Sequence, residues 1–234
     1  VPQSIEAPVR SVEVNALATL RLLEAARQAG VERFVFAGSS AAYGDSETLP
    51  KHEQLPVNPL SPYAIGKVAG EQCLQVYGAL HGMRTVTLRY FNVFGPRQVD
   101  DSPYTGVIAI FARALLSGKA PKIFGDGEQT RDFTYVANVV QANLLAMDGD
   151  AAPGSVFNVG GGVRISINQL YRRLAELAGS DLEPVYEPAR GGDVRHSLAS
   201  LDAIGEQLGY DPQVSWEDGL EPTFQWYRER LVNA

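Results

Sequence analysis

Tyr63 and Lys67 stand four positions apart in the run Tyr63-Ala64-Ile65-Gly66-Lys67. On a helix that spacing puts a phenol and an ammonium on one face, one turn apart. A neighbouring ammonium favours the phenolate and draws the phenol from a pKa of about 10 towards working pH. By itself the pair is a weak signal, because most tyrosines four residues ahead of a lysine are ordinary surface neighbours. Ser39 gives it a context. It lies 24 positions upstream, just past Val31-Glu32-Arg33-Phe34-Val35-Phe36-Ala37, whose β-branched and aromatic residues predict a buried strand. Open α/β sheets bind ligands at the carboxyl ends of such strands, so Ser39, Tyr63 and Lys67 are candidates for one constellation.

The other reactive side chains carry less. His52, His81 and His196 are far apart and lack the carboxylate or cysteine spacing of a metal site, so no metal is expected. Cys73, the single cysteine, excludes an internal disulfide framework and reads as a small hydrophobe on the helix that carries Tyr63. Gly160-Gly161-Gly162 reads as a turn after a strand rather than a phosphate loop, and Arg131, Arg190 and Arg195, taken alone, as surface charges.

The hydrophobic pattern supplies the elements that must position these groups. A helix is predicted over residues 12–29 from the spacing of Leu17, Leu20, Leu23 and Ala26, with Gly30 as its cap. The strand at 31–37, a small-residue turn at 38–43, a Pro-rich loop, a helix over 63–81 and a strand at 84–91 follow. Helices alternating with nearly continuous apolar strands imply a parallel sheet covered on both faces. Beyond Pro96 the rhythm is less regular. Helices are predicted at 106–117 and 136–147, and strands at 122–124 and 156–159. An amphipathic helix starts at Ser215 and carries Leu220, Phe224, Tyr227 and Leu231 on one face.

The 234 residues are 45% hydrophobic and 20% charged, enough to bury a sizeable core. A formal net charge of -7 argues against a nucleic-acid partner, which calls for a basic surface. No apolar run approaches the roughly 18 residues that would suggest a membrane span. The chain opens at Val1 with no signal-like segment, which reads as cytoplasmic.

Several runs point further: Phe34-Val35-Phe36-Ala37-Gly38-Ser39-Ser40-Ala41-Ala42-Tyr43-Gly44, Ser61-Pro62-Tyr63-Ala64-Ile65-Gly66-Lys67 and Leu88-Arg89-Tyr90-Phe91-Asn92-Val93-Phe94-Gly95-Pro96-Arg97. Later in the chain come Gly125-Asp126-Gly127-Glu128-Gln129-Thr130-Arg131-Asp132-Phe133, Asn158-Val159-Gly160 and Arg190-Gly191-Gly192-Asp193-Val194-Arg195-His196-Ser197. With them the chain resembles the extended short-chain dehydrogenase/reductase family, specifically its nucleotide-sugar 4-epimerases, along essentially its whole length. The resemblance implies an α/β fold: a Rossmann-like, doubly wound parallel sheet that binds NAD, and a smaller C-terminal α/β domain for the nucleotide sugar. Residues 1–96 would be the C-terminal part of the NAD-binding domain. Residues 97–234 would be mainly the substrate domain, with 131–160 returning to the Rossmann sheet.

The activity implied is NAD-dependent 4-epimerisation of a UDP-sugar through a 4-keto intermediate, the sugar being glucose and galactose or their N-acetylated forms. Tyr63 would take the proton from the sugar 4-hydroxyl. Lys67 would lower the phenol pKa and hold the nicotinamide ribose, and Ser39 would hydrogen-bond the reacting oxygen. Asn15 and Phe91 match residues beside the cofactor. Asn92, Arg131 and Arg190 match positions that grip the nucleotide and its phosphates, and Asp193 matches one that contacts the nucleotide. Ser40 and Ser197 match positions at the substrate. A homodimer through the helices at 12–29 and 63–81 is also implied.

Related dehydratases carry an Asp-Glu pair where this chain has Ser40 and Ala41, so simple epimerisation is favoured over dehydration or decarboxylation. Ser197 stands where some hexose epimerases have a bulky Tyr, which leaves room for an acetamide. The family's Gly-rich dinucleotide motif is absent from the 234 residues, as is an acid for the adenosine ribose. The expectation is therefore a partial view of a longer protein, with an uncovered sheet edge and exposed helix faces. A short form that binds nucleotide sugars without catalysis is the alternative.

Overall fold

The computed structural model describes residues 1–98, 106–189 and 194–232, the side chains of the last two residues excepted. Two short helices that each open on a proline, α1 (Pro2–Glu6) and α2 (Pro8–Val12), lead through a π-helical turn (Glu13–Leu17) into α3 (Ala18–Gln28). Strand β1 (Arg33–Ser39) passes into a 3-10 turn (Ser40–Tyr43), then come helix α4 (Pro62–His81), β2 (Arg84–Tyr90) and β3 (Asn92–Phe94). The second half runs α5 (Val107–Leu116), β4 (Lys122–Phe124), β5 (Thr130–Arg131), β6 (Phe133–Tyr135), α6 (Val136–Asp148) and β7 (Ser155–Val159). It closes with β8 (Ile165–Ser166), α7 (Ile167–Ala178), β9 (Val185–Glu187), α8 (Asp202–Leu208) and α9 (Trp216–Val232).

The main sheet has the order β1-β2-β7 and is parallel throughout, with Ser39 opposite Tyr90 and Tyr90 opposite Val159. This is the expected α/β fold with a parallel sheet. Successive residues of β2 point to opposite faces. Val86 and Leu88 enter a core with Phe157, Val159, Ala142 of α6 and Ile204 of α8, while the Thr85 hydroxyl donates to Leu74 O of α4 at 2.7 Å. Leu23 of α3, Phe36, Leu74 and Met83 fill the α4 side. A separate core around Phe94, Phe111, Leu170, Leu174 and Tyr227 joins α5, α7 and α9. Among the described residues no strand pairs with the outer edge of β1. Leu17, Leu20, Ile65, Val76 and Leu80 of the α3–α4 region are exposed. No helix among the described residues is long and apolar enough to cross a membrane.

The structure moves several boundaries. The first helical stretch starts well before residue 12 and contains the π turn that holds Asn15. Strand β1 begins and ends two residues later than its apolar run. Gly38 and Ser39 are residue types that favour turns, yet they sit in the ladder opposite Arg89 and Tyr90. A Cβ on Gly38 would stand 2.8 Å from the Thr87 side chain, so glycine permits the close approach of the strands. Leu220, Phe224 and Tyr227 are buried as the C-terminal pattern requires, and the Leu231 side chain lies outside the described residues.

Candidate active site

Helix α4 is held at its start by Ser61, whose hydroxyl accepts from Ala64 N at 3.2 Å, and by Pro62 in the first turn. Tyr63 therefore projects from the first turn and Lys67 from the next. Two glycines let the helix come close to its neighbours. A Cβ on Gly66 would lie 2.7 Å from Asn15 Cβ, and one on Gly70 2.7 Å from the Phe36 ring. Lys67 can then reach the sheet, where its Nζ donates to Ala37 O at 3.0 Å, 5.7 Å from the Tyr63 ring centroid. Burial pushes the Lys67 ammonium below its usual pKa. Ser39, at the end of β1, caps the 3-10 turn by accepting from Ala41 N at 3.2 Å.

Ser39, Ser40, Tyr63, Phe91, Asn92, Arg131 and Ser197 line one cavity of about 380 Å³. Seven residues singled out in the sequence thus meet at one place. Lys67 and Asn15 stand outside its lining. Lys67 meets it through the Tyr63 ring, and Asn15 packs against Gly66 with its amide donating to Ser11 O at 2.9 Å. Arg190 and Asp193 lie outside the described residues.

Sequence reasoning missed a second cavity, of about 570 Å³, that shares Asn92 and Arg131 with the first. Ile110 and Phe111 of α5, Ile123, Phe124 and Ile167 give it apolar walls, and Lys119 and Lys122 join the lining. Lys122 also pairs with Glu187 at 2.8 Å. The sequence marks Ile123-Phe124 before Gly125 as a short strand and nothing more. Arg131 Nη1 donates to Thr130 O at 2.9 Å, which fixes the guanidinium at the junction.

Asp132 was also missed. It is wholly buried and accepts from Gly161 N (2.6 Å), Gly162 N (3.2 Å) and Ala199 N (3.1 Å), while its own carbonyl takes Asn92 N at 3.1 Å. Burial pushes its carboxyl up to about 6 against the pull of those three donors. The N–H groups of Gly161 and Gly162 are spent on this carboxylate, as befits a structural turn.

The sequence profile of the NAD dependent epimerase/dehydratase family matches residues 1–160. The chain belongs to that family. It is 42% identical to the UDP-glucose 4-epimerase of Mycolicibacterium smegmatis over 231 residues, covering 98% of this chain and 73% of that protein. The structure of UDP-glucose 4-epimerase from Thermotoga maritima, with UDP-glucose, matches with a TM-score of 0.94 and 41% identity, covering 98% of this chain and 74% of that one. That of UDP-N-acetylglucosamine 4-epimerase from Methanobrevibacter ruminantium, in complex with UDP-N-acetylmuramic acid, also gives 0.94, at 37% identity with the same coverages.

NAD is the cofactor of this epimerase/dehydratase family, and the residues present fit its nicotinamide-ribose end. Lys67 offers a half-buried ammonium at the carboxyl end of β1, and Phe91 an apolar ring wedged against Tyr43 and Ala199. Tyr63 and Ser39, each with a hydroxyl, both line the cavity.

Proposed function

We propose that this chain 4-epimerises a UDP-sugar with Tyr63 as the proton-transfer residue. The observation that carries this is that two cavities share Asn92 and Arg131 in their linings: one holds Tyr63 and Ser39, the other has apolar walls and a lysine rim. Their sizes and linings suit a hexose and a nucleoside, with the diphosphate between them at Arg131. Tyr63 takes the proton of the sugar 4-hydroxyl and later returns it, and the Ser39 hydroxyl donates a hydrogen bond to the same oxygen. Lys67 places positive charge beside the Tyr63 ring and offers a donor to the ribose of the cofactor. Bound NAD supplies the hydride acceptor and donor at C4.

Arg131, Asn92 and, beyond the described residues, Arg190 and Asp193 hold the nucleotide and its phosphates. Holding that end firmly lets the sugar turn over within the first cavity. Asn15 and Phe91 border the cofactor. Ser40 and Ala41 offer no acid or base for removing water, which favours epimerisation over dehydration. UDP-glucose and UDP-galactose are the proposed pair, and Ser197 leaves room for an acetamide. Residues 1–96 then serve the cofactor and 97–234 mainly the nucleotide sugar, with 131–160 returning to the main sheet. The exposed Leu17, Leu20 and Ile65 support a homodimer through α3 and α4. The cytoplasm, where NAD and UDP-sugars meet, is the proposed setting.

The experiment is to supply the protein with NAD and UDP-galactose and to measure UDP-glucose formed, alongside NAD released on denaturation. Turnover with NAD bound supports the assignment. UDP-sugar binding without turnover at any NAD concentration would leave a binding module instead.

A further inference from the structure

We propose that Arg89 and Glu71 form a positioning clamp that sets Tyr63 against Ser39, and that Tyr43 carries the clamp to the wall of the sugar cavity. Glu71 stands four residues after Lys67 and eight after Tyr63, two turns along the same face of α4. Arg89 lies at the carboxyl end of β2, between Gly38 of β1 and Asn158 of β7. Its Nε and Nη2 donate to the two Glu71 oxygens at 2.8 and 2.6 Å, and the two side chains are only 3% and 6% exposed. The guanidinium also lies 4.8 Å from the centroid of the Tyr43 ring. Tyr43 in turn lines the cavity and donates its hydroxyl proton to Asn158 Oδ1 at 2.7 Å.

These contacts join the segments that carry the reacting groups. Tyr63 belongs to α4, whereas Ser39 opens the turn that ends in Tyr43. A slip of α4 by one residue's rise, about 1.5 Å, would take the phenol out of reach of the oxygen that Ser39 addresses. Arg89 blocks the slip because its planar fork meets both Glu71 oxygens while its face packs on Tyr43, and a lysine cannot do both.

Stability alone is a poor reason for such a pair, since apolar residues of similar volume commonly serve a buried site as well or better. Burial works against the Arg89 charge, but Glu71 and Tyr43 more than offset it and the group stays protonated. Arg89 is thus a positioning residue that acts through α4 and Tyr43 and touches no substrate.

The test uses the NAD-loaded enzyme and rests on the epimerase assignment of Tyr63. In Glu71→Leu/Arg89→Met the expected result is a Tm near wild type, KM for the UDP-hexose within about twofold, and kcat lower by about 10- to 100-fold. A kcat that recovers together with the Tm would overturn the clamp. Should the double variant fail to fold, Arg89→Lys decides: kcat down about tenfold at constant KM supports the clamp, and wild-type kcat overturns it.

A readout free of activity separates this from failure of the epimerase assignment. In protein labelled at the tyrosine ring carbons, the Tyr63 resonance, assigned by its loss in Tyr63→Phe, should move in Arg89→Lys. If wild-type protein turns over no UDP-sugar yet the resonance moves, the assignment falls and the clamp stands. An unmoved resonance overturns the clamp.

Discussion

Tyr63 and Ser39 stand on a 20-residue helix and at the end of a seven-residue strand, whereas Arg131 and Phe124 come from strands of two and three residues. The two ends of the pocket make different demands. Proton transfer needs donor and acceptor within hydrogen-bond reach, and its groups sit on a long helix and a long strand. Gripping a nucleotide adds up many partial contacts, and short strands suffice for that. Glycines at 66 and 70 draw the proton-transfer helix inward, while the buried Asp132 carboxylate between β5 and β6 gathers three backbone donors.

The sharpest way to separate the two ends is to remove the phenol oxygen. Tyr63→Phe should lower kcat by about 10³-fold while the Kd for the UDP-sugar, measured by titration calorimetry, stays within about twofold. An equal loss of binding would mean that the ends are not separable.

Asp132 ties the β5–β6 junction to Gly161, Gly162 and Ala199 and should show itself in stability. Its carboxyl is raised to about 6 in the fold from an ordinary value of 3.8, so the folded state binds the proton more tightly than the unfolded chain. This group therefore stabilises increasingly as pH falls from about 7 towards 4, by about 2 kcal/mol over the window. Urea unfolding across that range should show the trend in wild type and lose it in Asp132→Asn, and parallel curves would remove the assignment.

Arg131 tests the junction. Replacing it by Met should raise KM by about 10- to 100-fold, the worth of hydrogen bonds to a charged group, and leave kcat nearly intact. A fall in kcat alone would move Arg131 to the reacting end. The smallest effect is expected at Ser197. Ser197→Tyr should shift kcat/KM by about tenfold in favour of the plain hexose over its N-acetylated form, measured with both substrates in competition.

What the sequence revealed follows the same division. Tyr63 and Lys67 were legible because helical spacing alone places them together, and Ser39 because it follows an apolar strand. The α7 helix also has a local signal: Ser166 and Gln169 make a reciprocal capping box ahead of Leu170 and Leu174, a start that the hydrophobic pattern alone does not mark. The second cavity was not legible. Its walls come from α5, from β4 and from Ile167, segments that no local period connects. Asp132 stands in one of the runs that carry the resemblance, but nothing local shows that Gly161, Gly162 and Ala199 will turn their N–H groups towards it. Gly38 and Ser39 misled for the opposite reason, because residue types that favour turns were recruited into a strand by close packing against Thr87.

The most direct test of the central claim uses UDP-glucose labelled with deuterium at C4 and the NAD-supplied enzyme. A site that transfers hydride from that carbon and back must yield UDP-galactose with the deuterium still at C4. Absence of UDP-galactose, loss of the label to water, or its appearance at another carbon would contradict the account.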